Sequence, residues 1–381
     1  MAVAADNPPA AVLGAATWTA CGYGAAAQAR SLRQGGAAPS TLSPEMAPGA
    51  AYAYHLLADA PAGLLEVLAP VVAAALDDAG LRGEARQACG VFVGSSSSTV
   101  AEAEQVFRGQ LDDPAAVPLD APGGHGRLPE RLAEAVGLGG PRFYFGTACS
   151  SSANALLHAQ RMIARGALDH AVVVGVERSN WLSLFGFDSL MLLSGGRGRP
   201  LDRDRDGLVL GEGVSAMVIG PDTPDAPWRL LGGASRVDTE TPTNSSPESI
   251  AATIRAAMAA AAVDGDEITA IKAHGTGTPG NDLAECTGLR QCLGETLPPV
   301  TSLKGGLGHT MGACGIVEIA ATMACVDAGF WPPSAGFRTP DPELGVTPVA
   351  APVDLRHGRF LMNFFGFGGN NTACVIERHG D

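Results

Sequence analysis

Basic residues are scarce in this sequence: 25 Lys and Arg stand against 39 Asp and Glu, for a formal net charge of −14. No Lys/Arg-rich stripe is present to neutralise a phosphate backbone, which excludes a nucleic-acid binder. No apolar run approaches the ~20 residues that a membrane-spanning helix needs. The opening MAVAADNPPAAVLGAA has no basic segment ahead of its apolar residues, so no signal peptide is expected and the cytosol is the expected compartment. The eight cysteines form no CxxC pair and follow no regular spacing, which argues against a zinc site and against a disulfide framework. Aromatics (5%) and charged residues (17%) are few, and the 50 glycines are too dispersed for a collagen-like or disordered chain. What remains is an Ala- and Gly-rich globular chain, long enough at 381 residues to bury a large core.

Short apolar runs alternate with helical stretches, the pattern of an α/β protein. Strands are predicted near residues 11–16, 90–94, 142–146, 171–176 and 215–219, then near 228–233, 270–274, 300–303, 359–363 and 372–377. Helices are predicted near 64–79, 129–136 and 152–164, then near 247–261, 284–293 and 312–329. Runs such as AVVVGV and SAMVIG suit strands covered on both faces. The halves correspond, because the third strand of each opens through a Gly/Ser/Thr turn onto an Ala-rich helix: FYFGTACSSSANALL in one, VTSLKGGLGHTMGACGIVEIA in the other. Two similar five-stranded units are expected, 1–222 and 223–381, meeting at about 220–227.

Four segments carry chemistry-bearing residues. In TACSSS, Cys149 falls where a strand stops and a helix begins. A helix N-terminus favours negative charge, which makes a thiolate accessible nearer neutral pH, and its N–H groups could hold an oxyanion. A buried structural cysteine is the alternative, and the setting alone leaves both open. In IKAHGTGTPGNDLAE, His274 is expected at a strand's C-terminal end, facing the crevice where open α/β sheets bind ligands; a satisfied loop histidine is the plainer reading. In SLKGGLGHTMGACG, His309 is a second histidine of this kind. Lys304 lies five residues before it, and Glu318 one helical spacing beyond, within reach of Lys304. The order is not GxxxxGK[ST], so no nucleotide site is expected. In FLMNFFGFGGNN, glycines flank Phe367, allowing an N–H and an aromatic ring to be presented together; a tight turn with a core Phe is the alternative. DRDRDGLVLGEG from Asp202 starts like a calcium loop, but its twelfth position is Gly213 and flanking helices are missing. A solvated or Arg-paired turn is expected there.

Taken in series, TACSSS, AHGTGTPGND, KGGLGHTMGACG and GFGG resemble the β-ketoacyl synthases of the thiolase fold, and RPLDRDRDGLVLGEG resembles that family's RPFDxxRDGFVxGEG. The resemblance covers roughly 64–377. It implies two duplicated mixed-sheet halves in α-β-α-β-α layers. It also implies that Cys149 accepts an acyl chain from a phosphopantetheine thioester. His274 and His309 would bind a malonyl thioester carbonyl and promote decarboxylation, and the resulting carbanion would attack the acyl-Cys149 thioester in a Claisen condensation. Lys304 would be a charged support near His309, with Glu318 as its partner. The N–H groups of Cys149 and Phe367 would form an oxyanion hole, with the Phe367 ring as a gate. Thr276, Thr278 and Gly368 would bind the substrate arm. No cofactor is implied beyond the phosphopantetheine delivered by an acyl carrier protein. A homodimer, or a heterodimer with a related chain-length-factor subunit, is the implied assembly. Rival readings are a drifted acyltransferase forming amides or esters, and a subunit active only with a partner.

The chain departs from the family at three places. The residues before Leu64 match poorly. The segment 121–137, with its glycines and His125, falls where larger residues usually line the acyl pocket across the dimer interface, and His125 itself reads as a surface residue. NFFGFGG in place of NSFGFGG puts the bulk of Phe364 beside the site.

Overall fold

The computed structural model describes residues 8–43, 51–112 and 124–380. Ten strands lie on one hydrogen-bonded path. The first five are β1 (Ala10–Thr19), β2 (Gly90–Gly94), β3 (Arg142–Phe145), β4 (Ala171–Glu177) and β5 (Gly213–Pro221). The second five are β6 (Trp228–Val237), β7 (Ile268–Lys272), β8 (Val300–Thr301), β9 (Gly358–Gly366) and β10 (Asn370–Arg378). The spatial order is β8-β7-β9-β10-β6-β1-β5-β4-β2-β3, so each half carries the same permutation outward from the centre. In both halves the second strand runs parallel to the third and fourth, while the fifth is antiparallel to the fourth and first. The halves are not separate sheets: β1 and β6 pair antiparallel through Ala10↔Leu230 and Val12↔Trp228.

The principal helices are α1 (Ala25–Arg33), α2 (Leu64–Asp78), α3 (Val100–Asp112), α4 (Leu128–Val136), α5 (Ser151–Ala164), α6 (Trp181–Ser189), α7 (Pro247–Ala261), α8 (Pro279–Leu293) and α9 (Cys314–Asp327). Helix α2 covers the outer face of the first half, and α7, with α8 against it, covers that of the second. Between the halves lie α5 and α9, which touch each other and strands of both halves. This is the α-β-α-β-α stack. Thirteen of the fourteen α9 residues are buried, as its sequence CGIVEIAATMACVD requires of a helix apolar on every side. The two central helices approach backbone to backbone, since a Cβ on Gly315 would lie 2.4 Å from Ala153 N.

The sequence-predicted strands and helices are all present, with shifted ends. Strand β7 stops at Lys272, so His274 stands two residues beyond the strand, in the loop before α8. Helices α1, α3 and α6 were not expected.

Candidate active site

The nucleophile turn is built from small polar residues. Strand β3 ends at Phe145, and a tight turn over Ala148–Ser150 leads into α5. Ala148 sits at φ 49°, a left-handed backbone that L-residues rarely adopt, and it thrusts Cys149 out of the helix line. The turn is tied by Ser151 Oγ to Ala148 O (2.6 Å), Ser150 Oγ to Thr147 O (2.8 Å) and Asn154 Nδ2 to Thr147 Oγ1 (2.8 Å). The second half repeats the device: β8 leads to a turn at Met311, φ 41°, and then into α9.

Cys149 opens onto a cavity of about 270 Å³ whose wall includes Phe187, His274, Thr276, Thr278, His309, Phe365 and Phe367. His309 Nε2 lies 3.1 Å from Cys149 Sγ. The His274 and His309 rings meet edge to face with centroids 5.4 Å apart. The N–H of Phe367 donates to the Cys149 sulfur, and Gly366 leaves only enough room for the nucleophile turn beside it. The Phe367 ring lies 5.5 Å from that of Phe187, which in turn lies 6.5 Å from His309. The hydroxyls of Thr276 and Thr278 meet at 2.9 Å on the cavity wall.

Behind the histidines is a buried charge cluster. Lys304 Nζ donates to His274 O (2.7 Å), to Glu318 Oε1 (2.6 Å) and to His274 Nδ1 (3.3 Å). Lys272 Nζ donates to Glu318 Oε2 (2.6 Å) and to Asn363 O, and sits 3.7 Å above the Phe364 ring. Glu285 accepts from the backbone N–H groups of His274 and Gly275, each at 2.8 Å, and fixes the loop.

An ammonium has no acceptor. The His274 Nδ1 facing Lys304 is therefore the acceptor, which places the ring proton on Nε2. His309 Nδ1 is buried with no hydrogen-bond partner among the described residues, so nothing fixes that tautomer. Its Nε2 is equally able to accept from a thiol or donate to a carbonyl oxygen. Burial first, then the Lys304 charge, hold both histidines well below the usual imidazole range. Burial would lower Lys304, but Glu318, by charge and hydrogen bond, together with Cys314 and Glu285, outweighs it and leaves the ammonium above its usual range.

The sequence expectation of a readily formed thiolate is corrected. Burial pushes the Cys149 thiol up to about 12, and Lys304 and the Phe367 N–H only partly offset this. The resting pair is a neutral thiol beside a neutral imidazole.

The structure moves three other residues from their expected places. Lys304 leans on His274 rather than His309. Phe364 turns away from the cavity to lie under Lys272, and Phe365 lines the wall instead. Gly368 is exposed, its N–H bonded to Pro242 O (2.7 Å), and is not part of the cavity wall. Of the altered segment 121–137, residues 121–123 lie outside the described residues. His125 is exposed and stacks on Tyr144, with centroids 5.7 Å apart. In the calcium-like stretch Asp202 serves the backbone, accepting from the N–H groups of Arg338 (2.6 Å), Thr339 (2.7 Å) and Asp204 (2.8 Å); Asp204 pairs with Arg203, Asp206 accepts from the Ser194 hydroxyl (2.6 Å), and Arg205 pairs with Asp341 at 2.5 Å.

Family models agree with this geometry. Residues 64–224 match the N-terminal domain of the β-ketoacyl synthases and residues 230–338 match their C-terminal domain. The chain belongs to the β-ketoacyl synthase family. Among curated members, it is 34% identical over 264 residues to 3-oxoacyl-(acyl-carrier-protein) synthase 2 of Vibrio cholerae, covering 64% of this chain and 63% of that one. It is 33% identical over 263 residues to the ketoacyl synthase alpha subunit of the tetracenomycin polyketide synthase of Streptomyces glaucescens, covering 64% and 61%. The matched region thus spans less than two thirds of these relatives' own length. Among solved structures, the ishigamide ketosynthase/chain length factor superposes with a TM-score of 0.89 at 24% identity, covering 98% of this chain and 100% of that one. A ketosynthase in complex with its chain length factor from Xenorhabdus doucetiae gives 0.83 at 26%, covering 98% of each. The thiolase-like ketosynthase fold is therefore common to them and to this chain.

Two features of this ketosynthase site escaped the sequence reading. Lys272 reads as an ordinary strand residue, and Phe187 lies in WLSLFGFDS, an apolar stretch without clear periodicity.

Proposed function

We propose that this protein is a β-ketoacyl synthase that condenses an acyl thioester, held on Cys149, with malonyl-acyl carrier protein, in polyketide, polyene or fatty-acid assembly. The observation that carries the reading is the meeting of Cys149 and His309 at 3.1 Å in one cavity with His274, whose Nε2–H is set by Lys304. In acylation, Cys149 Sγ attacks the thioester carbonyl, its proton moves to His309 Nε2 and then to the departing pantetheine thiolate. The developing oxyanion accepts from the N–H groups of Cys149 and Phe367. In the second stage the malonyl carboxylate leaves as CO2, and the electron pair of its C–C bond moves into an enolate whose oxygen accepts from His274 and His309. The enolate carbon then attacks the acyl-Cys149 carbonyl, the C–S bond breaks, and the departing Cys149 thiolate takes one proton from solvent water. Thr276 and Thr278 hold the pantetheine arm, and the Phe367 ring, packed on Phe187, gates the two stages. The acyl carrier protein delivers that arm.

The two halves are assigned as 1–222, bearing the nucleophile, and 223–381, bearing the histidines. The assembly is a dimer, with a second copy or with a chain-length-factor-like subunit. Support for a protein partner comes from the touching helices α3 and α6, which expose Phe107 (58%), Leu111 (66%) and Leu182 (68%).

Intact-mass spectrometry with acyl-carrier thioesters, followed by malonyl carrier protein, tests the reading. Acyl mass on the wild type but not on Cys149→Ala, chased into a β-ketoacyl product, is the expected result. No acyl adduct would overturn the nucleophile assignment, and an adduct passed only to an amine or alcohol would make the protein a transferase of another kind.

A further inference from the structure

The charge cluster behind the histidines makes one carboxylate, Glu318, serve two ammonium groups, while the second, Glu285, is taken up by the backbone N–H groups of His274 and Gly275. Lys272 and Lys304 are both fully enclosed, and the two ammonium groups share one carboxylate, Glu318. A buried ammonium is costly, and packing would be served at least as well by an apolar side chain at 272. Yet the position is built for a cation. Nζ has Glu318 Oε2 on one side, the Asn363 carbonyl on another and the face of Phe364 below it.

We propose that Lys272 is a positioning residue for the two histidines: by occupying Glu318 Oε2 it leaves Oε1 to hold Lys304 against His274, and it places a second buried cation behind both rings. The proposal rests on the ketosynthase reading above for its purpose, though not for its geometry. With Lys272 present, Glu318 cannot turn both oxygens onto Lys304 and quench it. Burial pulls Lys272 below the usual lysine range while Glu318 holds it up, and its charge, beside that of Lys304, opposes protonation of the neighbouring imidazoles. Each ring then remains a neutral donor when an enolate forms in front of it. The charged and titratable groups around the rings are Lys272 from β7, Lys304 after β8, Glu318 from α9, Glu285 from α8 on the His274 N–H, and Cys149, with Cys314 bonded to the Cys149 carbonyl and Glu177 nearby from β4.

The test compares Lys272→Met, Lys272→Gln and Lys272→Arg with the wild type by two readouts. The first is NMR titration of 13C-labelled histidine rings, which needs no substrate. The second is the pH dependence of malonyl-carrier decarboxylation. Removing a nearby cation makes the rings easier to protonate, so in the Met and Gln variants His274 and His309 should become charged at higher pH than in the wild type. The ratio of decarboxylation rates between about pH 7.5 and about pH 5.5 should then rise at least about threefold, while Arg restores wild-type behaviour. Ring titrations unchanged in folded Met or Gln variants would overturn the proposal. So would a series in which only Arg folds, because Lys272 would then serve the core alone. Rings that shift in a protein with no decarboxylase activity would uphold the positioning role and remove the ketosynthase reading instead.

Discussion

Lys304 Nζ stands 3.3 Å from His274 Nδ1 and 2.6 Å from Glu318 Oε1, so one ammonium ties a carboxylate of α9 to a ring in the other catalytic loop. Because the ammonium only donates, this contact decides that His274 presents N–H, not a lone pair, to the cavity. Replacing Lys304 with Met removes that decision and leaves Glu318 with Lys272 alone. Malonyl decarboxylation should fall by about 100-fold or more, in the range of a lost proton-donor function. Carbon dioxide release from malonyl carrier protein, measured beside a thermal melt, separates this from unfolding.

The raised Cys149 thiol has a direct signature in alkylation. A thiol whose value is pushed to about 12 is protonated throughout the neutral range, and its thiolate fraction grows with pH until that value is reached. Iodoacetamide labelling of Cys149, followed by intact mass, should therefore climb about tenfold per pH unit from about pH 7 to about pH 9 without levelling. A plateau below pH 8 would mean that the turn holds a thiolate.

Gly366 sets the spacing between the GFGG loop and the nucleophile. A Cβ there would stand 3.1 Å from Cys149 N, 3.1 Å from Thr147 O and 3.3 Å from Ser150 N. Gly366→Ala should move the Phe367 N–H off the sulfur by a few tenths of an ångström and slow acylation by about tenfold or more, since reacting groups tolerate little misplacement. The melting temperature should change little, because the displaced atoms belong to one turn. Acylation rates by mass spectrometry, with the melt as control, give the answer.

The sequence carried the site where chemistry demands a special residue at a special place. Cys149, His274, His309 and the glycines around Phe367 stand out because each interrupts an apolar strand or opens a helix. The correspondence of the two five-stranded halves was legible for the same reason, since FYFGTACSSS and SLKGGLGHTMG mark equivalent turns, whereas the strand order was not. What stayed hidden depends on distance along the chain. Lys304 meets a histidine thirty positions earlier, and sequence proximity pointed to His309 instead. Lys272 occupies a strand position where a lysine ordinarily signals a solvated face, and only the packing of α9 and Phe364 reveals it as buried. Phe187 belongs to a helix whose apolar residues divide between two walls, which erases the periodicity that would have exposed it.

The twin turns at Ala148 and Met311 put Gly312 where the first half has Cys149. The Gly312 N–H does not face a cavity: it donates at 3.1 Å to Glu177, the last residue of β4, whose carboxylate also accepts from the N–H groups of Ser96 and Ser97. The repeated half thus places an anion cup at each of two helix entrances. The chain corks one from within, using a carboxylate of its own, and leaves the other uncorked. Of these two equivalent turns, only the one at Cys149 opens onto a cavity among the described residues, so an oxyanion meets one cup rather than two.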